Sequence, residues 1–305
     1  DLPFTLSGIF SPGSIFSASL SDEFGDVSNA TEIGTILLLP KLLIKLNLNP
    51  KQSLWYTLNP LVIVELTGNL HFEGIVIFFF LIAVYLLMIQ KEKLSSLAWA
   101  FAAASKLIPI FFLPIVLRKI PFKKAIIFYC LFGVAFFALW LPFINDTLLP
   151  HFLTSVQLYS KTFEFNASIY YIIRWIGFES VGYNIIQQVG PILSVITFVL
   201  VMGIYFYQNK SWEDVLKKML FAYTIYLLLA TTVHPWYVIN LVVLSVFVRN
   251  YRYAIIWSVL VILSYSAYIN ESYQENVVLI ALEYIIDSEI RFYHGGIYYR
   301  RSRYF

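Results

Sequence analysis

Glu65-Leu66-Thr67-Gly68-Asn69-Leu70-His71-Phe72-Glu73 lies between two strongly apolar runs, residues 54–66 and 72–89. Two acids, an amide and a histidine so close together are expensive in or beside a bilayer, where such groups face a cavity, a partner or a substrate. Composition shows that a bilayer is the right setting. The chain of 305 residues is 59% hydrophobic and 13% charged, with a mean hydropathy of +0.74. A soluble domain carries about 25% charged residues. The apolar runs are continuous, not alternating as in a membrane barrel, so the expected fold is an all-α, polytopic α-helical membrane protein.

Lysines and arginines set the expected topology, because cytoplasmic ends collect them. The clusters are Lys41, Lys45 and Lys51; Lys91 and Lys93; Arg118 to Lys124; Lys210 to Lys218; Arg249 and Arg252; and the arginines from Arg291 onward. Between them the sequence predicts helices over 33–48, 54–66 and 72–89. A hairpin of two half-helices follows over 94–117, bent at Lys106-Leu107-Ile108-Pro109, where proline biases its predecessor away from helix. A span over 125–143 leads to an external loop, 145–168. Residues 169–178, with Arg174 and four aromatics, read as an interfacial helix. Further spans are expected over 189–207, 219–232, 238–248 and 253–269, with a partial one over 277–286. The sum is a bundle of about 9–10 short transmembrane or half-membrane helices. Three regions follow: a polar external segment, 1–32; a transmembrane domain, 33–286; and a basic cytoplasmic tail, 287–305. The chain begins at Asp1 rather than methionine, so the natural protein is expected to start earlier. A lone cysteine, Cys130, forms no intramolecular disulfide.

Basic residues alone fixed this topology, yet residues 65–73, Lys106, 162–168 and 234–237 all fall on the external side. No nucleotide-binding loop, dinucleotide fingerprint or H-E-x-x-H helix is present, so no cofactor is expected. His71, His151 and His234 are scattered without ligand spacing, so no metal is expected either. A net charge of +3 gives no reason to invoke nucleic acid. The remaining chemistry suits sugars and phosphates. A carboxylate or imidazole can take the proton of a sugar hydroxyl. Lysine or arginine can hold a leaving phosphate, and tryptophan and tyrosine can stack on a sugar ring.

These motifs resemble those of GT-C class polytopic membrane glycosyltransferases, most closely the GT87/PIG-M-like mannosyltransferases of the Bacteroidetes type. The resemblance rests on Asn59-Pro60 and Gly68-Asn69-Leu70-His71-Phe72-Glu73. It continues through Ala103-Ala104-Ser105-Lys106-Leu107-Ile108-Pro109 with Leu113-Pro114, and through Phe163 to Tyr170 with Arg174-Trp175. It ends with His234-Pro235-Trp236-Tyr237, and covers roughly residues 33–283. It implies transfer of a hexose, with mannose expected, from a polyprenyl-phosphate-sugar donor to a hydroxyl of a lipid or glycan acceptor. Configuration would invert, the site would lie on the external face, and the protein would be a multi-pass component of a bacterial inner membrane, in contact with membrane lipids. The family's base is an acid in the first external loop; Asp22, Glu23 and Asp26 lie in that region, or the acid lies upstream of residue 1.

Within the matched region the candidate catalytic residues are Glu73, Glu65 and His71. Lys106 and Arg174 are expected to bind the lipid phosphate. Asn69, Asn166, His234, Trp236 and Tyr237 are expected to line the sugar site. Three rivals share these features: a lipid-linked-sugar transporter or flippase, a glycan polymerase or ligase, and a non-catalytic subunit. A transporter carries internal repeats and a site near the midplane, whereas here no repeat is visible and the polar groups gather on one side.

Overall fold

The structure is a computed structural model that describes residues 15–207, 211–248, 253–269 and 274–301. It is an all-α polytopic membrane protein; among the described residues the only extended pairing is a single bridge, Phe165 to Thr232.

Helix α1, Ile15–Lys45, starts well before the expected apolar run. Ser28, Thr31, Thr35, Leu39 and Leu42 recur at helical spacing and are all buried, so one stripe faces inward from Ser28 to Leu42. Its upper half is small and polar, which is why hydropathy alone reads residues 1–32 as a loop. Residues 1–14 of that segment lie outside the described residues.

The helix expected over 54–66 is broken. After a 3₁₀ turn, Pro50–Ser53, come α2, Leu54–Thr57, and α3, Pro60–Val62, which runs into a π-helical turn, Ile63–Gly68. Asn59 causes the break: its side-chain oxygen accepts from the backbone N–H of Leu61 (3.0 Å) and Val62 (3.3 Å), with Pro60 next in line. That is a helix start. Helix α4, Glu73–Met88, then leaves at 109° to the 60–68 segment.

The hairpin reading of 94–117 holds. Helix α5, Glu92–Ser105, ends at Lys106, whose backbone is extended, and α6, Ile108–Val116, begins with Pro109 in its first turn. Trp99 of α5 donates its indole N–H to the Pro109 carbonyl at 2.9 Å. Helix α7, Phe122–Trp140, returns beside the start of α5, where Lys124 donates to Glu92 at 2.6 Å. Both feet of the hairpin therefore stand at one end of the molecule, with Lys106 at the other.

The expected loop at 145–168 is mostly helix: α8, Leu148–Lys161, is followed by α9, Ile169–Val181. Then come α10, Ile186–Phe206; α11, Trp212–Leu229; α12, Pro235–Ser245; and α13, Tyr253–Leu260, continued by a 3₁₀ stretch, Val261–Tyr268. Lys119 lies over the Trp212 ring at 4.9 Å, placing the start of α11 at the basic end. The last helix, α14, Val277–Arg301, runs on through most of the stretch expected to be a tail.

Among the described residues, three helical segments are long and apolar enough to cross a bilayer: Gly25–Lys45, Phe122–Phe143 and Ile186–Phe206. The outward faces of α7 and α10 are apolar, with Val134 71% and Phe198 63% exposed. Continuous apolar surface of this kind faces lipid. Helices α8 and α10 touch backbone to backbone, and a Cβ at Gly190 would run into the Ser160 carbonyl. Gly190→Ala is therefore expected to lower the thermal midpoint in detergent by several degrees. Gly203→Ala, which meets nothing within 4 Å, should be neutral or raise it, since alanine favours a helix over glycine by about 1 kcal/mol. Equal effects of the two would contradict this packing.

Candidate active site

At the end opposite the lysine clusters, five separate segments meet, the last of them residues 265–268, which carry Tyr265 and Tyr268. The first is the 65–73 turn. Glu65 sits in the π-helical turn, a rare geometry that recurs at functional sites. Its carboxylate accepts from Tyr265 Oη and from Asn69 Nδ2 (3.2 Å), and lies 3.0 Å from His71 Nε2. Glu73, at the start of α4, pairs with the Lys106 ammonium through Oε1, while its Oε2 lies 3.8 Å from His71 Nδ1. His71 is thus held between two carboxylates. Leu70, beside it, takes a left-handed backbone (φ 52°), uncommon for a branched residue. Its side chain packs on α1, where a Cβ added at Gly25 would lie 3.5 Å from Leu70 Cδ1.

Exposure separates these groups into two layers. Glu65 and Glu73 are 0% and 1% exposed, whereas the side chains of His71 and Lys106 are each 28% exposed. The acids form the back of the site, and the lysine ammonium and imidazole ring form its front. Both His71 nitrogens point inward, so the ring offers its face and carbon edge. The sequence named Glu65 and Glu73 as candidate catalytic residues; the structure places both carboxylates behind His71 and Lys106, a position from which a carboxylate can orient a histidine.

The second and third segments are Lys106, at the α5–α6 bend, and 231–237. Lys106 stands over the Tyr237 ring at 4.7 Å. His71 stacks on Trp236 (ring centroids 4.2 Å), and Trp236 stacks on His234 (4.4 Å, interplanar 9°). The fourth segment is 163–166. Phe165 donates its N–H to Thr231 and accepts from Val233, and its ring lies 5.0 Å from His234. Phe165 also meets Tyr268 (5.7 Å), and Tyr268 meets Tyr265 (6.0 Å). The contacts close a circuit: Glu65, His71, Trp236, His234, Phe165, Tyr268, Tyr265 and back to Glu65.

Asn166 and Arg174 fall elsewhere than expected. Asn166 is fully buried: its N–H donates to Glu275 (2.5 Å), its amide to Glu283 (3.2 Å), and its carbonyl accepts from Tyr284 (2.7 Å). It fastens the 163–166 segment to the α14 region, while its own Oδ1 is buried without a hydrogen-bond partner. Arg174 pairs with Glu164 and lies 4.1 Å from the Tyr171 ring centre, so its charge is matched within the protein. Asn69 is exposed and tied to Glu65, while Trp236 and Tyr237 are half-buried.

Sequence reasoning missed Tyr265, Glu275 and Glu283. An acidic stretch ending at Glu275 was legible only as a loop, and nothing marks Tyr265 among 22 tyrosines. Among the described residues no cluster of three or more metal-ligating side chains occurs.

Residues 30–120 match the model of the MptA_B family, described as alpha-(1->6)-mannopyranosyltransferase, N-terminal domain. The matched span is under a third of the chain and contains Glu65, His71, Glu73 and Lys106. It supports glycosyl transfer as the chemistry of this chain. No curated protein and no solved structure matches.

Burial, with the charges of Lys106 and His71 nearby, pushes the His234 imidazole down to about 4. An unfolded histidine titrates near 6.5, so between these values the unfolded chain binds the extra proton. The stabilisation is therefore complete above about pH 6.5 and is lost as pH falls towards 4, by at most about 1.4 kcal/mol per unit. His234→Asn should flatten the fall of the thermal midpoint between pH 7 and 5. An unchanged slope would show that His234 is not held neutral.

Proposed function

We propose that this protein transfers a mannosyl residue from a polyprenyl-phosphate donor to a hydroxyl of a lipid or glycan acceptor. The layered arrangement of Glu65 and Glu73 behind His71 and Lys106 carries the reading. The finer placement, a GT87/PIG-M-like enzyme with its site on the external face of a bacterial inner membrane, rests on the resemblance of its motifs and on the distribution of basic residues.

Lys106 holds the donor phosphate. A polyprenyl-phosphate sugar carries one negative charge and becomes more negative as the sugar–phosphate bond breaks, so a fixed cation counts most in the transition state. Glu73 keeps the ammonium in place, and the Tyr237 ring supports it from below. The His71–Trp236–His234 stack gives a flat surface on which the sugar ring rests, and Asn69 stands at its rim. Arg174, neutralised by Glu164, shapes the neighbouring wall together with Tyr171, and Asn166 holds that wall in place.

The base is Asp26. It is exposed on α1, next to the Gly25 that abuts Leu70, in contrast to the enclosed Glu65. Asp26 takes the proton of the acceptor hydroxyl, the oxygen attacks the anomeric carbon, and the carbon–oxygen bond to phosphate breaks on the opposite face. Polyprenyl phosphate leaves with the electron pair and configuration inverts.

The test is transfer of labelled mannose from polyprenyl-phosphate-mannose by membranes carrying the protein. Lys106→Gln should lower turnover by about a hundredfold, and Asp26→Asn by a similar or larger factor. Asp146→Asn, exposed in another loop, should leave turnover unchanged. Absence of transfer from every polyprenyl-phosphate sugar tried, with movement of that lipid across the membrane, would replace the enzyme with a flippase.

A further inference from the structure

A second feature lies away from the acid–imidazole site, towards the lysine-rich end. Lys51, Leu54, Trp55 and Leu58 recur at consecutive helical turns and form one wall of a groove of about 380 Å³; Ile255 and Val259 of α13 form the other. Residues at this spacing share a helix face. The walls are apolar and outward-facing: Leu54, Trp55, Leu58 and Val259 are 49%, 52%, 66% and 52% exposed. One end is bolted shut, since Asn59 Nδ2 donates to Ser258 Oγ at 2.7 Å across the two walls. At the other end stands Lys51, with no ion pair among the described residues.

We propose that this groove seats one acyl chain of an anionic phospholipid, with the lipid phosphate at Lys51. An apolar channel inside a bilayer takes a hydrocarbon chain. An unpaired ammonium at its mouth selects lipids by headgroup charge, since a lysine near the headgroup layer attracts anionic lipid. The groove is not the path of the polyprenyl donor, because its cation stands at the end opposite Lys106, where the donor phosphate binds. Asn59 closes the groove and also starts the segment that carries Glu65, so a seated chain braces the back of the site from below. Excluding the polyprenyl donor rests on the Lys106 assignment made above, whereas the lipid preference at Lys51 is read without any activity measurement.

The experiment uses the whole chain purified in a zwitterionic detergent, with retained lipid read by native mass spectrometry. Dioleoyl-phosphatidylglycerol and dioleoyl-phosphatidylcholine, which share the same chains, are supplied in equal amounts. The phosphatidylglycerol adduct should exceed the phosphatidylcholine adduct roughly fivefold. Lys51→Gln should erase that preference, whereas Lys93→Gln, an exposed lysine of the same end, should keep it. Leu58→Trp, at a largely exposed position, should reduce adducts of both lipids while the thermal midpoint stays that of the native chain. Equal retention of the two lipids by the native chain, or equal effects of the two lysine changes, would overturn the proposal.

Discussion

The enclosure of two carboxylates behind one lysine and one histidine is the constraint on which the rest of this structure depends. A buried carboxylate is costly unless paired and hydrogen-bonded. Glu65 and Glu73 find their partners only because two distant parts of the chain reach the turn that carries them. Tyr265 arrives from the 3₁₀ stretch after α13, Lys106 from a break between two half-helices, and His71 and Asn69 from the turn itself. Removing Lys106 would leave Glu73 without its ion-pair partner, and removing Tyr265 or Asn69 would leave a Glu65 oxygen short of a donor in a poorly solvated place. The acids therefore help to specify the fold at this end.

The aromatic circuit gives the arrangement stiffness. Stacked and tilted rings each contribute about 0.5–1.5 kcal/mol beyond their burial, and here they form a closed path rather than a chain with a free end. The single backbone bridge from Phe165 to Thr232 fixes the path where α8–α9 and α11–α12 come together. Behind it, Asn166, itself left-handed at φ 47°, is held by Glu275, Glu283 and Tyr284. Burial raises the Glu275 carboxyl above its ordinary range, while the donors from Tyr171 and Asn166 pull the other way. The site is thus preorganised from the interior outwards, as electrostatic catalysis requires.

Much of this was legible in the sequence because charge and period are strong signals. Basic clusters at alternate ends predicted that 65–73, Lys106, 162–168 and 234–237 would share one side, and the structure brings all four into contact. The hairpin at Lys106 followed from the same rule together with Pro109. Other features were not legible because they depend on partners distant in sequence. From Ser28 to Thr35 the inward face of α1 carries serine and threonine, which hydropathy scores as loop. The break at Asn59 comes from a three-residue cap inside an apolar run. Asn166 reads as an exposed amide until the α14 region covers it, and Arg174 reads as a free cation until Glu164 neutralises it. Which acids are buried cannot be read from a turn containing two of them.

The most direct test of the layered site is a double-mutant cycle on binding of polyprenyl phosphate, using Glu73→Gln, Lys106→Gln and the pair. If Glu73 acts by holding the Lys106 ammonium towards the phosphate, each single change weakens binding to a similar degree and the double change costs no more than either. The coupling would then be on the order of 1–3 kcal/mol. Additive losses, or tighter binding by Glu73→Gln, would contradict the account and return Glu73 to a role of its own.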